Sequence, residues 1–181
     1  MQSELSLTSK HFEPRDISLG KRNIVVTFSN KKLDFGISDD LSYNVECNSL
    51  QGKSSFIFSA LRSGCNIRLS LRCQMKENFE EIVHNTSLRL TFVSSPKNKT
   101  RGNKIESDIS VICLDQLHVI KKFQGQGYGT KLIAIIIAWL SFDFTDIIRL
   151  VVISPSSIGK PFYLSLGATK ENSSHNLVFN I

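Results

Sequence analysis

The stretch KKFQGQGYGTKL, residues 121–132, gathers three glycines and three lysines at the point where a long apolar segment begins. No Asp, Asn or Ser stands there as a helix cap, and no acidic residue occurs from Gln116 to Phe142. The first-turn amides of a helix have no partners within the helix, and the helix dipole adds partial positive charge at that end. Lys121, Lys122 and Lys131 add more. An anion would satisfy the amides and neutralise the field together. Glycine at 125, 127 and 129 lets the backbone approach it closely. The chemistry on offer is therefore phosphate binding by a loop that opens a helix.

Two common phosphate loops are excluded. A P-loop ends in Gly-Lys-Ser/Thr, whereas this loop ends Gly129-Thr130-Lys131. The dinucleotide pattern needs a third glycine where Thr130 stands. What remains is Gln124, Gly127 and Gly129 in the spacing Q-x-x-G-x-G. Metal chemistry has little to stand on. Cys47, Cys65, Cys73 and Cys113 form no CxxC pair and do not cluster with the four histidines.

The elements that must hold this loop can be read from periodicity. Residues 107–120, SDISVICLDQLHVI, predict a long strand that leads into the loop. An apolar helix follows from about Gly127 to Ser141, apolar on nearly every face and so expected to lie buried against a sheet. Residues 147–153, IIRLVVI, predict a buried strand of the parallel type. The 120–153 stretch is thus a β-α-β unit. SSIGKPFYLSLGA, 156–168, predicts a short helix with Pro161 in its first turn and Gly167 beyond its end. HNLVFNI closes the chain as a strand.

Upstream, NIVVTF (23–28) predicts a strand, and 54–61 and 66–75 predict a hairpin across Arg-Ser-Gly. In the second arm Ile67, Leu69, Leu71, Cys73 and Met75 share one face. Phe79, Ile82 and Val83 have helical spacing, which predicts a short helix over 76–85, and 87–95 predicts another strand. Residues 96–104 predict a basic loop. Residues 1–20 predict a loosely held leader, and 21–181 a single domain whose cofactor-binding half is 107–181.

The Q-x-x-G-x-G loop between strand and helix resembles the pyrophosphate-binding motif of the GCN5-related N-acetyltransferases. SSIGKPFYLSLGA is similar to that family's closing signature, with Phe162, Tyr163 and Gly167 matching. Ser156, Gly159 and Ala168 stand where the family often has Asn, Ala and Phe. The resemblance covers about 107–181. It implies an α+β fold with a central, mostly antiparallel sheet and one parallel pair splayed around the cofactor. It implies acetyl-CoA as co-substrate, with no metal, and transfer of the acetyl group to a primary amine by direct attack. Leu117, His118 and Val119 would pair with the pantetheine arm. Gln124, Gly125, Gln126, Gly127, Tyr128, Gly129 and Thr130 would hold the pyrophosphate, and Ser156 would lie beside the cofactor. Tyr163 would be the general acid, although a purely packing role for its ring is the alternative. Asp115 is the candidate base, against the alternative of a strand carboxylate paired with a surface lysine. His118 is a second candidate base, but strict alternation puts it on the face opposite Asp115 and Leu117, which favours a structural role.

Composition sets bounds on these readings. The chain has 181 residues, 41% hydrophobic and 21% charged, with a net charge of +6. That suits a soluble globular protein that binds anions. The longest apolar run, LIAIIIAWL, is far short of the roughly 20 residues that span a bilayer. The N-terminus has no apolar core for a signal peptide, so the cytoplasm is the expected location and the sequons at Asn85, Asn98 and Asn172 read as chance matches. The expected partner is an amine on a small molecule or a protein. Membrane is not expected, nucleic acid is disfavoured, and a homodimer is left open. The rival function is a catalytically weak or inactive module that binds acyl-CoA for regulation. A nucleic-acid-binding role through 96–104 ranks last.

Overall fold

A computed structural model describes residues 13–35, 39–62, 68–91, 111–143, 149–171 and 174–181. The strands are β1 (Arg15–Leu19), β2 (Arg22–Phe35), β3 (Asp39–Ser49), β4 (Gly52–Arg62), β5 (Arg68–Met75), β6 (Val83–Thr91), β7 (Val111–Val119), β8 (Arg149–Val152), β9 (Thr169–Lys170) and β10 (Leu177–Asn180). The helices are α1 (Tyr128–Asp143) and α2 (Gly159–Ser165), with a 3-10 turn at Lys121–Phe123. All ten strands join one sheet in the order β1-β2-β3-β4-β5-β6-β7-β8-β10-β9. Among the described strands only β7 and β8 pair in parallel, across the α1 crossover. This is the α+β arrangement with a mostly antiparallel sheet expected from sequence.

Alternation builds one apolar face. Ile24, Val26 and Phe28 of β2, Tyr43, Val45 and Cys47 of β3, and Phe56, Phe58 and Ala60 of β4 are all buried. In β5, Leu71 and Cys73 are buried while Arg68, Ser70 and Arg72 are exposed, as their two-residue period requires. Helix α1 lies on that face, and every residue from Leu132 to Leu140 is buried. A helix apolar all round needs cover on more than one side, and the sheet supplies it by curling. The β1–β2 turn reaches the end of α2, where a Cβ on Gly20 would stand 2.5 Å from the Ser165 carbonyl oxygen. Gly167, at φ +89°, packs against Gly20 from the other side.

Gly167 also ends α2. Its amide donates to the Leu164 carbonyl at 3.1 Å, and the Ala168 amide donates to the Tyr163 carbonyl at 3.1 Å. That is a Schellman closure around a left-handed glycine.

Three expectations are corrected. Residues 76–85 are not a helix: Lys76–Asn78 form a turn and β6 begins at Val83. Phe79 has φ +57° and is exposed, while Ile82 and Val83 are buried, so the three do not share a face. The Met75 amide bonds the Glu80 carbonyl at 2.9 Å and the Glu80 amide bonds Asn78 Oδ1 at 3.1 Å, which reverses the chain instead. Second, Arg15–Leu19 is not a loose leader but the edge strand paired with β2. Third, two strands were unforeseen in the sequence: β3 pairs with β2 and β4, and β9 with β10. Expectations for residues 1–12, Cys65, Ile67, the loop 96–104, the strand ends at 92–95, 107–110 and 147–148, and the sequons at Asn98 and Asn172 lie outside the described residues. No helix among the described residues is long and apolar enough to cross a membrane.

Candidate active site

Two irregularities in the β6–β7 pairing shape the site. Leu88 pairs with Leu114 and Ser87 with Gln116, so Asp115 is an extra residue in β7. Ser87–Gln116 is followed by His84–His118, so β6 carries a compensating extra residue, beside Asn85 at φ +52°. Such bulges bend a strand and re-aim its side chains. On the other side of β7, pairing with β8 ends at Leu114–Val152, followed by a bond from the Ile153 amide to the Leu114 carbonyl at 3.1 Å. From Asp115 to Val119 the strand runs on without β8 beside it. The gap is walled on its far side by Ser156, Gly159 and Tyr163.

The bulge reverses the alternation. Ile112 and Leu114 face α1 before it, and Leu117 and Val119 pack toward the same core after it. The expectation that His118 and Asp115 lie on opposite faces is therefore wrong: both line a cleft of about 460 Å³. The His118 ring stacks on its cross-strand partner His84, with centroids 4.6 Å apart and planes 11° apart. Asp115 is held by two arginines rather than a lysine. Oδ1 accepts from Arg89 Nη2 at 3.0 Å, and Oδ2 lies 3.7 Å from Arg68 Nη2. Oδ2 is itself buried without a hydrogen-bond donor.

The Ile120 amide bonds the Ile82 carbonyl of the neighbouring strand at 2.8 Å. By alternation the backbone groups of Leu117 and Val119 then face the gap, and those of His118 face β6. The Val119 carbonyl is already taken by Gln124 Nε2 at 2.8 Å. Leu117 is the residue left with its backbone pair toward the gap, and His118 contributes its ring.

The loop folds as its composition requires. Gly125 and Gly127 adopt φ +75° and +82°, values that favour glycine. Gly129 serves differently from the expectation. A Cβ there would meet the Phe162 ring at 3.1 Å, so this glycine lets α1 and α2 pack together. Gln126 Nε2 bonds the Lys122 carbonyl at 2.6 Å, bracing the loop. The Tyr128 ring packs edge-on against Phe56 and Phe123, with Lys131 Nζ 5.4 Å from its centroid. The first turn of α1 contains no acidic residue. Lys122 is paired with Glu80. Lys131 donates to Ser54 Oγ at 2.6 Å and faces the loop.

A second cavity, of about 680 Å³, runs from Leu117, His118 and Val119 past Gln124, Gly125, Gly127 and Gly129 to Thr130. It shares Leu117, His118, Ser156, Gly159 and Tyr163 with the first. Tyr163 thus stands where the two cavities meet. Its ring packs against Phe162 and Phe179. Burial pushes its hydroxyl up to about 12, so it stays protonated at every physiological pH. The Ser156 hydroxyl accepts from the Gly159 amide at 3.0 Å and fixes the start of α2.

Sequence reasoning missed Arg22. Its Nη1 donates to the buried Thr130 hydroxyl at 3.0 Å, across 108 residues of chain. Nothing local marks it. His84, Asn85, Arg68 and Arg89 were missed for the same reason. No group of His, Cys, Asp or Glu that could hold a metal occurs among the described residues.

No protein-family model and no curated protein matches the chain. Solved structures similar to it include AtaTR bound with AcCoA, at 21% identity over 63% of this chain and 70% of that one, TM-score 0.45. The KacTA–DNA complex has 21% identity over 65% and 70%, TM-score 0.48. AtaT complexed with acetyl-methionyl-tRNAfMet has 20% identity over 63% and 71%, TM-score 0.46.

Proposed function

We propose that the chain is an acyltransferase that moves an acetyl group from acetyl-CoA to a primary amine. The observation that carries this reading is the meeting of two cavities at a buried, protonated tyrosine, beside a strand split from its neighbour by a bulge. The larger cavity ends at a glycine loop that opens α1, which suits a thioester with a diphosphate tail. The smaller cavity, on the Asp115 side, suits the acceptor.

The co-substrate supplies an activated acetyl thioester. Leu117 offers a backbone amide toward the gap, where it would stabilise negative charge developing on the carbonyl oxygen. The amine must be neutral to attack. Asp115 would receive its proton, directly or through water, at the unpartnered Oδ2, with Arg89 holding the carboxylate in place. Tyr163 would donate to the departing sulfur. A free thiol near 8.5 is a weak base toward a phenol at about 12. The departing thiolate would take a charge-assisted hydrogen bond from Tyr163. The co-substrate reading also agrees with the lining of the loop side, where lysine and arginine stand without a carboxylate.

Asp115 is the sole carboxylate among the described residues of the acceptor-side cleft, and two arginines flank it. That arrangement favours an acceptor with one reacting amine over a polycation. Two measurements test the proposal. Calorimetry should register uptake of CoA by the folded protein, and thiol release from acetyl-CoA should depend on an added amine. Failure to bind CoA at millimolar concentration would refute the assignment. Tight binding without transfer across a broad amine panel would favour the regulatory module.

A further inference from the structure

We propose that a basic cavity next to the glycine loop takes the 3′-phosphate of coenzyme A, with Arg22 and Lys21 as the residues that read it. The inference rests on the co-substrate reading above. The cavity measures about 380 Å³ and is lined by Lys21, Arg22 and Lys131, with no carboxylate among its lining residues. It shares Arg22, Gly125, Gly127 and Thr130 with the larger cavity, so the two are continuous across the loop.

Lys53, Arg68, Arg72, Arg89, Lys122 and Arg149 each pair with a carboxylate. Lys21, Arg22 and Lys131 have no carboxylate partner among the described residues. Arg15, Lys76, Lys121, Lys160 and Lys170 also lack a carboxylate partner among the described residues, but this cavity gathers three such cations around one concavity. Three like charges around a small concave volume repel one another and focus a positive field. A phosphomonoester, with a charge of roughly −1.5 to −2 at neutral pH, relieves that repulsion. The direction of the ligand follows from its two ends. The thioester belongs at Tyr163 and the diphosphate at the loop amides, so the nucleotide emerges beyond the loop, into the basic cavity.

The side chains suit that end. Arg22 spends Nη1 on Thr130, which fixes the guanidinium plane and leaves its other donors for a phosphate. Lys21, in the β1–β2 turn, adds a point charge. Leu50, fully exposed at the tip of the β3–β4 turn, lines the same cavity and offers apolar surface to the adenine ring. Arg22 and Lys21 reach this position because the curled sheet brings the β1–β2 turn to the start of α1.

The test is calorimetric titration of the full chain with CoA and with 3′-dephospho-CoA. A charge-assisted contact predicts that CoA binds about tenfold tighter or more. In Arg22→Gln, and separately in Lys21→Gln, that ratio should shrink toward one, with thermal unfolding confirming that each variant is folded. Lys21→Gln guards against loss of the Thr130 contact as the cause, because Lys21 does not make it. Equal affinity of the wild-type chain for the two ligands would overturn the inference and leave the co-substrate reading standing, as would a ratio unchanged in both variants. Binding of neither ligand would remove the co-substrate reading, and the inference with it.

Discussion

Replacing Tyr163 by Phe separates chemistry from packing. The ring sits between Phe162 and Phe179 at centroid distances of 5.1 and 6.4 Å, and Phe keeps both contacts. The hydroxyl has no protein partner among the described residues, so its removal leaves no buried group unsatisfied. Stability should change by less than about 0.5 kcal/mol. In the proposed mechanism, what disappears is a donor to a sulfur that becomes charged only as the thioester breaks. A hydrogen bond to a charged group is worth about 1.5–3 kcal/mol, which corresponds to a loss of roughly 10- to 150-fold in kcat. CoA affinity should hold, because that contact is made in the transition state. The assay is thiol release from acetyl-CoA with a saturating amine, alongside calorimetry and thermal unfolding of both proteins. With the phenol pushed up to about 12, wild-type activity should also show no alkaline limb assignable to Tyr163 below about pH 11. Equal turnover in the two proteins would remove the hydroxyl from the mechanism. A limb near pH 9.5 that vanishes in the variant would refute the burial argument.

Asp115→Asn should lower kcat/KM about tenfold or more at neutral pH with CoA affinity unchanged, checked by the same assay; it also leaves Arg89 and Arg68 without their carboxylate, so unfolding should be followed in parallel. Gly20→Ala places a methyl 2.5 Å from the Ser165 carbonyl at φ +60° and should cost about 1–3 kcal/mol, read as a shift in the denaturant midpoint; an unshifted midpoint would mean that the sheet does not close there. Stability should fall at high pH. Burial raises the folded-state values of Tyr163, Cys47 and Cys73, so their contribution is intact below the unfolded values, 9.0 for the thiols and 10.0 for the phenol, and is lost as pH climbs toward about 12. By pH 11 Tyr163 alone accounts for about 1 kcal/mol of that loss, and a midpoint that stays flat from pH 8 to 11 would contradict it.

Much of the C-terminal part of the chain was legible because its signals are local. Glycines at 125 and 127 encode positive φ, Gly167 encodes a helix end, and the apolar run 132–140 encodes a helix covered on all sides. The failures share a physical origin. Phe79, Ile82 and Val83 have helical spacing, but an asparagine turn and a left-handed Phe79 win over that weak preference once Ile82 and Val83 can be buried. Strict alternation misplaced His118 because one inserted residue, Asp115, reverses every position after it. No pattern in a single strand announces its partner's register.

By itself the sequence determined the phosphate-suited loop, the helix behind it, the strand on either side and the tyrosine that follows. These are set by hydrogen bonding and periodicity within a few turns of chain. Only the tertiary structure decided that β7 splits from β8 beyond Leu114, that Asp115 and His118 share one cleft, and that Arg22 meets Thr130 from 108 residues away. Those outcomes depend on register and on the closure of a ten-stranded sheet around α1, and both are fixed by which distant surfaces can be buried together.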